Sequence, residues 1–233
     1  MFTIFPQIQA IVKEDDVEKL ALVVRQYYLG PKARIPSLKL DLLLQNCGVL
    51  CHSLELGYKA ALVIEDRNGQ IRPRIVVNHI VKDHERRFLL AHILGHLFID
   101  IQEDLIAGKS TRLGLYEDDS PIKRYLGEQT ESIQAHERKA DLFAAAILAP
   151  KALVKAALAK GYKPQDLVSV FNMPLSFILR RIEELSDQPR PSPVLSNSLP
   201  AENRLQKVDS TKPQRGFSKL RRIAKKIDDS VDI

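Results

Sequence analysis

Two histidines, His92 and His96, stand four residues apart in the stretch FLLAHILGHLFI, residues 88–99. Positions i and i+4 share one face of a helix. Zinc takes neutral imidazole readily, and two such ligands with a carboxylate leave a fourth position for water. The other reading of a bare H-x-x-x-H pair is two core histidines bonded to backbone carbonyls, because so short a pattern often arises by chance. In the H-E-x-x-H form of the pattern, the residue after the first histidine is a glutamate that serves as general base. In this chain that residue is Ile93.

Three further features bear on the choice. The stretch is apolar on every side, as expected of a buried helix, and imidazoles buried there need polar partners. Gly95 stands in the middle of it, where glycine costs about 1 kcal/mol relative to alanine, so it marks a close approach by another element. A later run, HERKADLFAAAILAP (136–150), carries Glu137 and Asp141, again at i and i+4. Like charges at that spacing repel. A cation between the two helices relieves the repulsion, with Glu137 as its third ligand and Asp141 accepting the outer N–H of a ligand histidine. The plainer reading of the acidic pair is a solvated face shared with Arg138 and Lys139, but the apolar ADLFAAAILAP run argues for burial.

The surrounding elements are legible from pattern. Asp15 or Asp16 caps a helix over 17–29, closed by Gly30 and Pro31. Pro36 opens a second helix that ends at Gly48. Three runs rich in Val, Ile and Leu follow, VLCHSLEL, KAALVIED and QIRPRIVVN, and RNG between the last two signals a hairpin. Pro73 places the start of the third run at an edge or a bulge. Asp83 caps the histidine helix, residues 102–130 read as a long loop or lid, and a helix over 131–148 stops before Pro150. Beyond it, KALVKAALAK, QDLVSVF and PLSFILRRIEEL are three short helices of helix-turn-helix proportions. The last presents Arg180 and Arg181 as its exposed bases, opposed by Glu183 and Glu184, which is little for reading nucleic acid. A Pro- and Ser-rich linker and a basic amphipathic end complete the chain.

HERRFLLAHILGHLFI followed by HERKADLFAAAILAP resembles the ImmA/IrrE family of zinc metallopeptidases. In that family an R-x-F-x-x-A-H-E-x-G-H helix precedes an E-x-x-A-N/D-x-F-A-A-x-L-L-M-P helix. Arg86 or Arg87, Phe88, Ala91, His92, Gly95 and His96 match the first pattern, and Glu137, Ala140, Asp141, Phe143, Ala144, Leu148 and Pro150 the second. The resemblance covers roughly residues 17–187. It implies an α+β fold: a zincin-like metallopeptidase domain of helices and a small antiparallel or mixed sheet over 1–150 and a helix-turn-helix-like module over 151–187; beyond it, composition alone reads 188–233 as a mostly disordered linker and basic tail. It implies that His92, His96 and Glu137 hold Zn2+, and that the protein acts on a helix-turn-helix repressor of stress-response or mobile-element genes. Three departures stand out: Ile93 for the motif glutamate, Ala149 for the usual methionine, and a long stretch between the motifs.

Isoleucine cannot take a proton from bound water. The reading is therefore a zinc-binding pseudoenzyme with a role in transcription regulation. The alternatives are an active endopeptidase with a substitute base (Glu128, Glu131 or His136 by nearness in sequence) and a non-catalytic DNA-associated regulator.

Composition sets the outer bounds. With 233 residues, 45% of them hydrophobic, the chain can bury one fair-sized core. It has no apolar run of about 18 residues and a poor signal peptide, and its two cysteines, Cys47 and Cys51, exclude a disulfide framework, so the expectation is a cytoplasmic protein with reduced thiols. Of the net charge of +6, residues 188–233 carry +5. Lys219, Arg221, Arg222, Lys225 and Lys226 there could engage nucleic acid. An anionic membrane surface or plain solvation are the other readings of this tail.

Overall fold

The computed structural model describes residues 16–34, 36–56, 59–67, 70–101, 122, 125, 126 and 135–186. The chain divides into two units, Met1–Gln188 and Pro189–Ile233, and every described residue belongs to the first. The expected linker and basic tail over 188–233 lie outside the described residues, as does most of the expected loop over 102–130.

The described residues form an α+β fold of seven α-helices and one three-stranded mixed sheet. Helix α1 (Val17–Leu29) starts where the Asp16 side chain accepts the Lys19 N–H at 2.9 Å, and it ends at Gly30, whose φ of 53° is left-handed. A 3-10 turn (Gly30–Arg34) follows, and helix α2 runs over Leu40–Asn46. It begins four residues after Pro36, later than the sequence suggests. Glycine at Gly48 takes φ of 72° and turns the chain into strand β1 (Leu50–Leu54).

Strands β2 (Ala60–Arg67) and β3 (Gln70–Asn78) form the expected hairpin, antiparallel from Arg67↔Gln70 to Ala60↔Val77. Strand β1 lies parallel on the other side of β3, so β3 is central. Pairing with β1 starts only at Arg74, so Pro73 sits where β3 still has a single neighbour, as a residue without an N–H requires. Ala60, Leu62, Ile64, Ile75 and Val77 join the main apolar core.

Helix α3 (Asp83–His96) runs through that core and is buried from Phe88 to His96. Its cap is Lys82, extended and without a side-chain bond, rather than Asp83, which lies one residue inside the helix. A wide π turn (Leu97–Ile101) continues α3. Helix α4 (Ala135–Leu148) packs along α3 and against α1. Three short helices follow: α5 (Lys151–Ala159), α6 (Pro164–Phe171) and α7 (Leu175–Leu185). Asn172, left-handed at φ 53°, closes α6.

Aromatic contacts join α7 to α3. Phe177 lies 5.8 Å from Phe88 between ring centroids, Tyr125 lies 5.3 Å from Phe88, and the Tyr125 hydroxyl donates to Glu184 at 2.7 Å. Arg181 departs from the sequence reading. It is not an exposed base of α7 but is buried, donating to the Ala149 carbonyl at 2.9 Å and to Glu18 at 2.6 Å. Among the described residues, no single helix is long and apolar enough to cross a membrane.

Candidate metal centre

The site is built on two helices pressed together at one glycine. A Cβ on Gly95 would stand 3.1 Å from the Ala140 Cα and 3.2 Å from the Ala140 carbonyl oxygen. Glycine there lets α4 approach α3 closely enough for a short carboxylate side chain to reach both histidines. This is the close approach that glycine within an apolar helix foretold.

His92 and His96 come from successive turns of α3 and are almost fully buried. Their rings stand nearly perpendicular, with centroids 4.5 Å apart, and their Nε2 atoms are 2.9 Å apart. Glu137, at the start of α4, sets one carboxylate oxygen 3.4 Å from the Nε2 of His92 and the other 3.4 Å from that of His96. In a tetrahedral zinc site with ligand bonds of about 2.0–2.1 Å, ligand atoms stand about 3.3 Å from one another. The triangle of two imidazole nitrogens and a carboxylate thus has the size and donor set for a metal ion. Glu137 is also the least buried of the three, at 32% side-chain exposure, so the triangle has an accessible side.

The outer ring nitrogens face two more carboxylates. The Nδ1 of His92 is 2.8 Å from Asp141 Oδ1, one helical turn beyond Glu137. The Nδ1 of His96 is 2.5 Å from Asp100 Oδ2 in the π turn. Each imidazole therefore has an aspartate oxygen close behind its Nδ1, hydrogen-bonded in the case of His96, while its Nε2 points into the shared centre. The charges are tuned accordingly. Hydrogen bonds from His92 and then His96 hold the Glu137 carboxyl far below the usual carboxylate range, against the opposite pull of burial. Burial alone would lower His96, but its bonds to Asp100 and Glu137 outweigh that and raise it. A cluster that holds the Glu137 carboxylate ionised and raises His96 is one that a divalent cation would satisfy.

The structure brings together every residue singled out from the sequence as a metal ligand or its support: His92, His96, Glu137 and Asp141. It places Ile93 in the main core with no exposure. Of the three substitute bases, Glu128 and Glu131 lie outside the described residues, as does the side chain of His136. Asp100 was missed. It extends the His92–His96 spacing by one more step of four, which was the available signal.

Compared with known families, residues 45–183 match the peptidase M78 family by its IrrE N-terminal-like domain. That span takes in the sheet, both site helices and nearly all of α5–α7. Among curated proteins nothing matches the chain.

Proposed function

The chain belongs to the peptidase M78 family of IrrE N-terminal-like domains, and on that premise we propose that it is a zinc-binding regulator whose peptidase chemistry is disabled. It acts in the cytoplasm on a helix-turn-helix repressor, by binding it rather than cutting it. The observation that carries this reading is the pairing of a complete ligand triangle, His92, His96 and Glu137, with a buried isoleucine at the general-base position.

The residues fit the ion by donor type and spacing. His92 and His96 give neutral nitrogens, Glu137 gives a carboxylate oxygen, and Asp141 stands within 2.8 Å of the outer nitrogen of His92, in place to orient that ring. Zinc in such a site polarises a carbonyl and lowers the pKa of bound water. Hydrolysis also needs a group that takes a proton from that water and returns it to the leaving amine. The described carboxylates that reach the two imidazoles are Glu137, Asp141 and Asp100, and each already lies within 3.4 Å of a ring nitrogen. Ile93 offers none.

Purified protein is expected to carry about one zinc per chain by metal analysis and to lose it in His92→Ala and Glu137→Ala. The unmodified protein is expected to leave a co-expressed cognate repressor uncut while still binding it. Protein prepared without chelator that holds no zinc would overturn the metal assignment. Efficient cleavage of the repressor would overturn the pseudoenzyme and point to a base among Glu128, Glu131 and His136.

A further inference from the structure

Asp100 lies in the π turn Leu97–Ile101, directly after Leu97, Phe98 and Ile99, all buried. Its side chain is only 13% exposed. A carboxylate in such surroundings costs stability unless it is paired. Its Oδ2 lies 2.5 Å from the His96 Nδ1, the ring atom opposite the one that faces Glu137.

The backbone explains how it arrives there. Four residues after His96, Asp100 is the neighbour that helical i, i+4 spacing sets beside the imidazole. The chain there has widened into the i→i+5 turn. Such turns are rare, are found mostly as single widenings of an α-helix, and cluster at functional sites. This one begins at the residue immediately after His96.

We propose that Asp100 is a positioning residue of the metal centre: it accepts the Nδ1–H of His96, fixing the tautomer and ring angle that present Nε2 to the ion. Asp141 stands behind His92 from the other helix, its Oδ1 2.8 Å from that ring's Nδ1. The centre thus has a carboxylate behind each ring, Asp141 on α4 and Asp100 in the π turn that continues α3. The proposal rests on reading His92, His96 and Glu137 as metal ligands.

The test measures zinc affinity by competition with a chromophoric chelator for the full chain, Asp100→Asn and Asp100→Ala. Loss of a carboxylate behind a ligand histidine typically weakens metal binding by about 10–100-fold. Asp100→Ala is expected to fall in that range. Asp100→Asn, which keeps an acceptor oxygen but no charge, is expected to fall between it and the unmodified protein. The absorption spectrum of the cobalt-substituted protein is expected to change in both, which a merely structural role would not produce in a folded variant. Wild-type affinity and an unchanged cobalt spectrum in both variants would overturn the proposal. Should either variant fail to fold, nitrogen-edited NMR of the zinc-loaded unmodified protein still decides: a protonated Nδ1 and metal-bound Nε2 at His96 support it, and metal on Nδ1 overturns it. If the unmodified protein binds no zinc at all, the metal reading itself falls, and the role of Asp100 with it.

Discussion

A glutamate one place after His92 would share the helix turn that carries the imidazoles and could take a proton from water held between them. Isoleucine presents only hydrocarbon there, and in this fold that hydrocarbon is packed into the core with no exposure. Restoring the acid has two opposed effects. Ile93→Glu removes apolar packing and buries a carboxyl, which costs stability unless the group finds a partner. It also returns general acid–base help worth about 10²–10⁴-fold in rate. The variant is therefore expected to melt at a lower temperature than the unmodified protein without zinc, to regain part of the loss when zinc is added, and to gain cleavage of a cognate repressor. Gel analysis of the repressor and thermal melts with and without zinc check both effects. No cleavage by a folded, zinc-loaded Ile93→Glu protein would show that more than the base has been lost. At this scale the sequence was a good guide where chemistry follows spacing. His92, His96, Glu137 and Asp141 are all fixed by steps of one helical turn. Asp100 stands one more such step beyond His96, but a single acid at the end of an apolar run does not say which side chain it supports.

Helices α3 and α4 form the site only because their backbones nearly touch. A methyl group at position 95 would meet Ala140 Cα at 3.1 Å and Phe143 Cδ1 at 3.2 Å, closer than two helices with side chains normally pack. Gly95→Ala gains about 1 kcal/mol in helix propensity, but overpacking a tight core costs about 1–3 kcal/mol. The helices can relieve the clash only by moving apart, which draws Glu137 away from both Nε2 atoms. A modest net destabilisation and weaker zinc binding are expected together, measured by urea unfolding and chelator competition. A more stable variant with unchanged affinity would mean that the contact does not set the site. The elements themselves were largely readable, because amphipathic spacing marked α1 and the Asn–Gly pair marked the hairpin. Strand order was not. Three apolar runs of similar length do not say that β1 joins β3 in parallel rather than β2. The start of α2 and the cap of α3 moved because a proline or aspartate near a helix start marks the vicinity of the boundary and not the residue.

Across the first unit, two buried arginines hold the end of α4 in place. A helix leaves its last carbonyls without intrahelical partners. Arg25 of α1 donates to the Ile147 carbonyl at 2.6 Å and to that of Ala33 at 2.9 Å and 3.2 Å, while Arg181 of α7 donates to the Ala149 carbonyl. Elements far apart in sequence thus converge on the exit of the helix that carries Glu137. Pattern reading could not find this latch, since an arginine amid an apolar face counts as a break in the pattern, and its partners are backbone atoms that no side-chain code reveals. Burial pushes the Arg25 guanidinium down to about 10, so it remains charged at neutral pH. Hydrogen bonds from charged donors contribute about 1.5–3 kcal/mol each. Arg25→Leu keeps apolar bulk but strands two buried carbonyls, so a loss of roughly 3 kcal/mol or more is expected. Arg181→Leu strands one carbonyl and removes one cation beside Glu18 and Glu184, but Glu184 keeps the Tyr125 hydroxyl and Arg180, and Glu18 keeps the Lys151 N–H and is exposed enough for water to compensate in part, so its loss is expected to be smaller. Because both arginines brace one helix end, the double variant is expected to lose a different amount from the sum of the two. Urea unfolding followed by circular dichroism, which suits a chain without tryptophan, measures all three. A loss under about 1 kcal/mol for Arg25→Leu would show that the end of α4 is held by apolar packing alone.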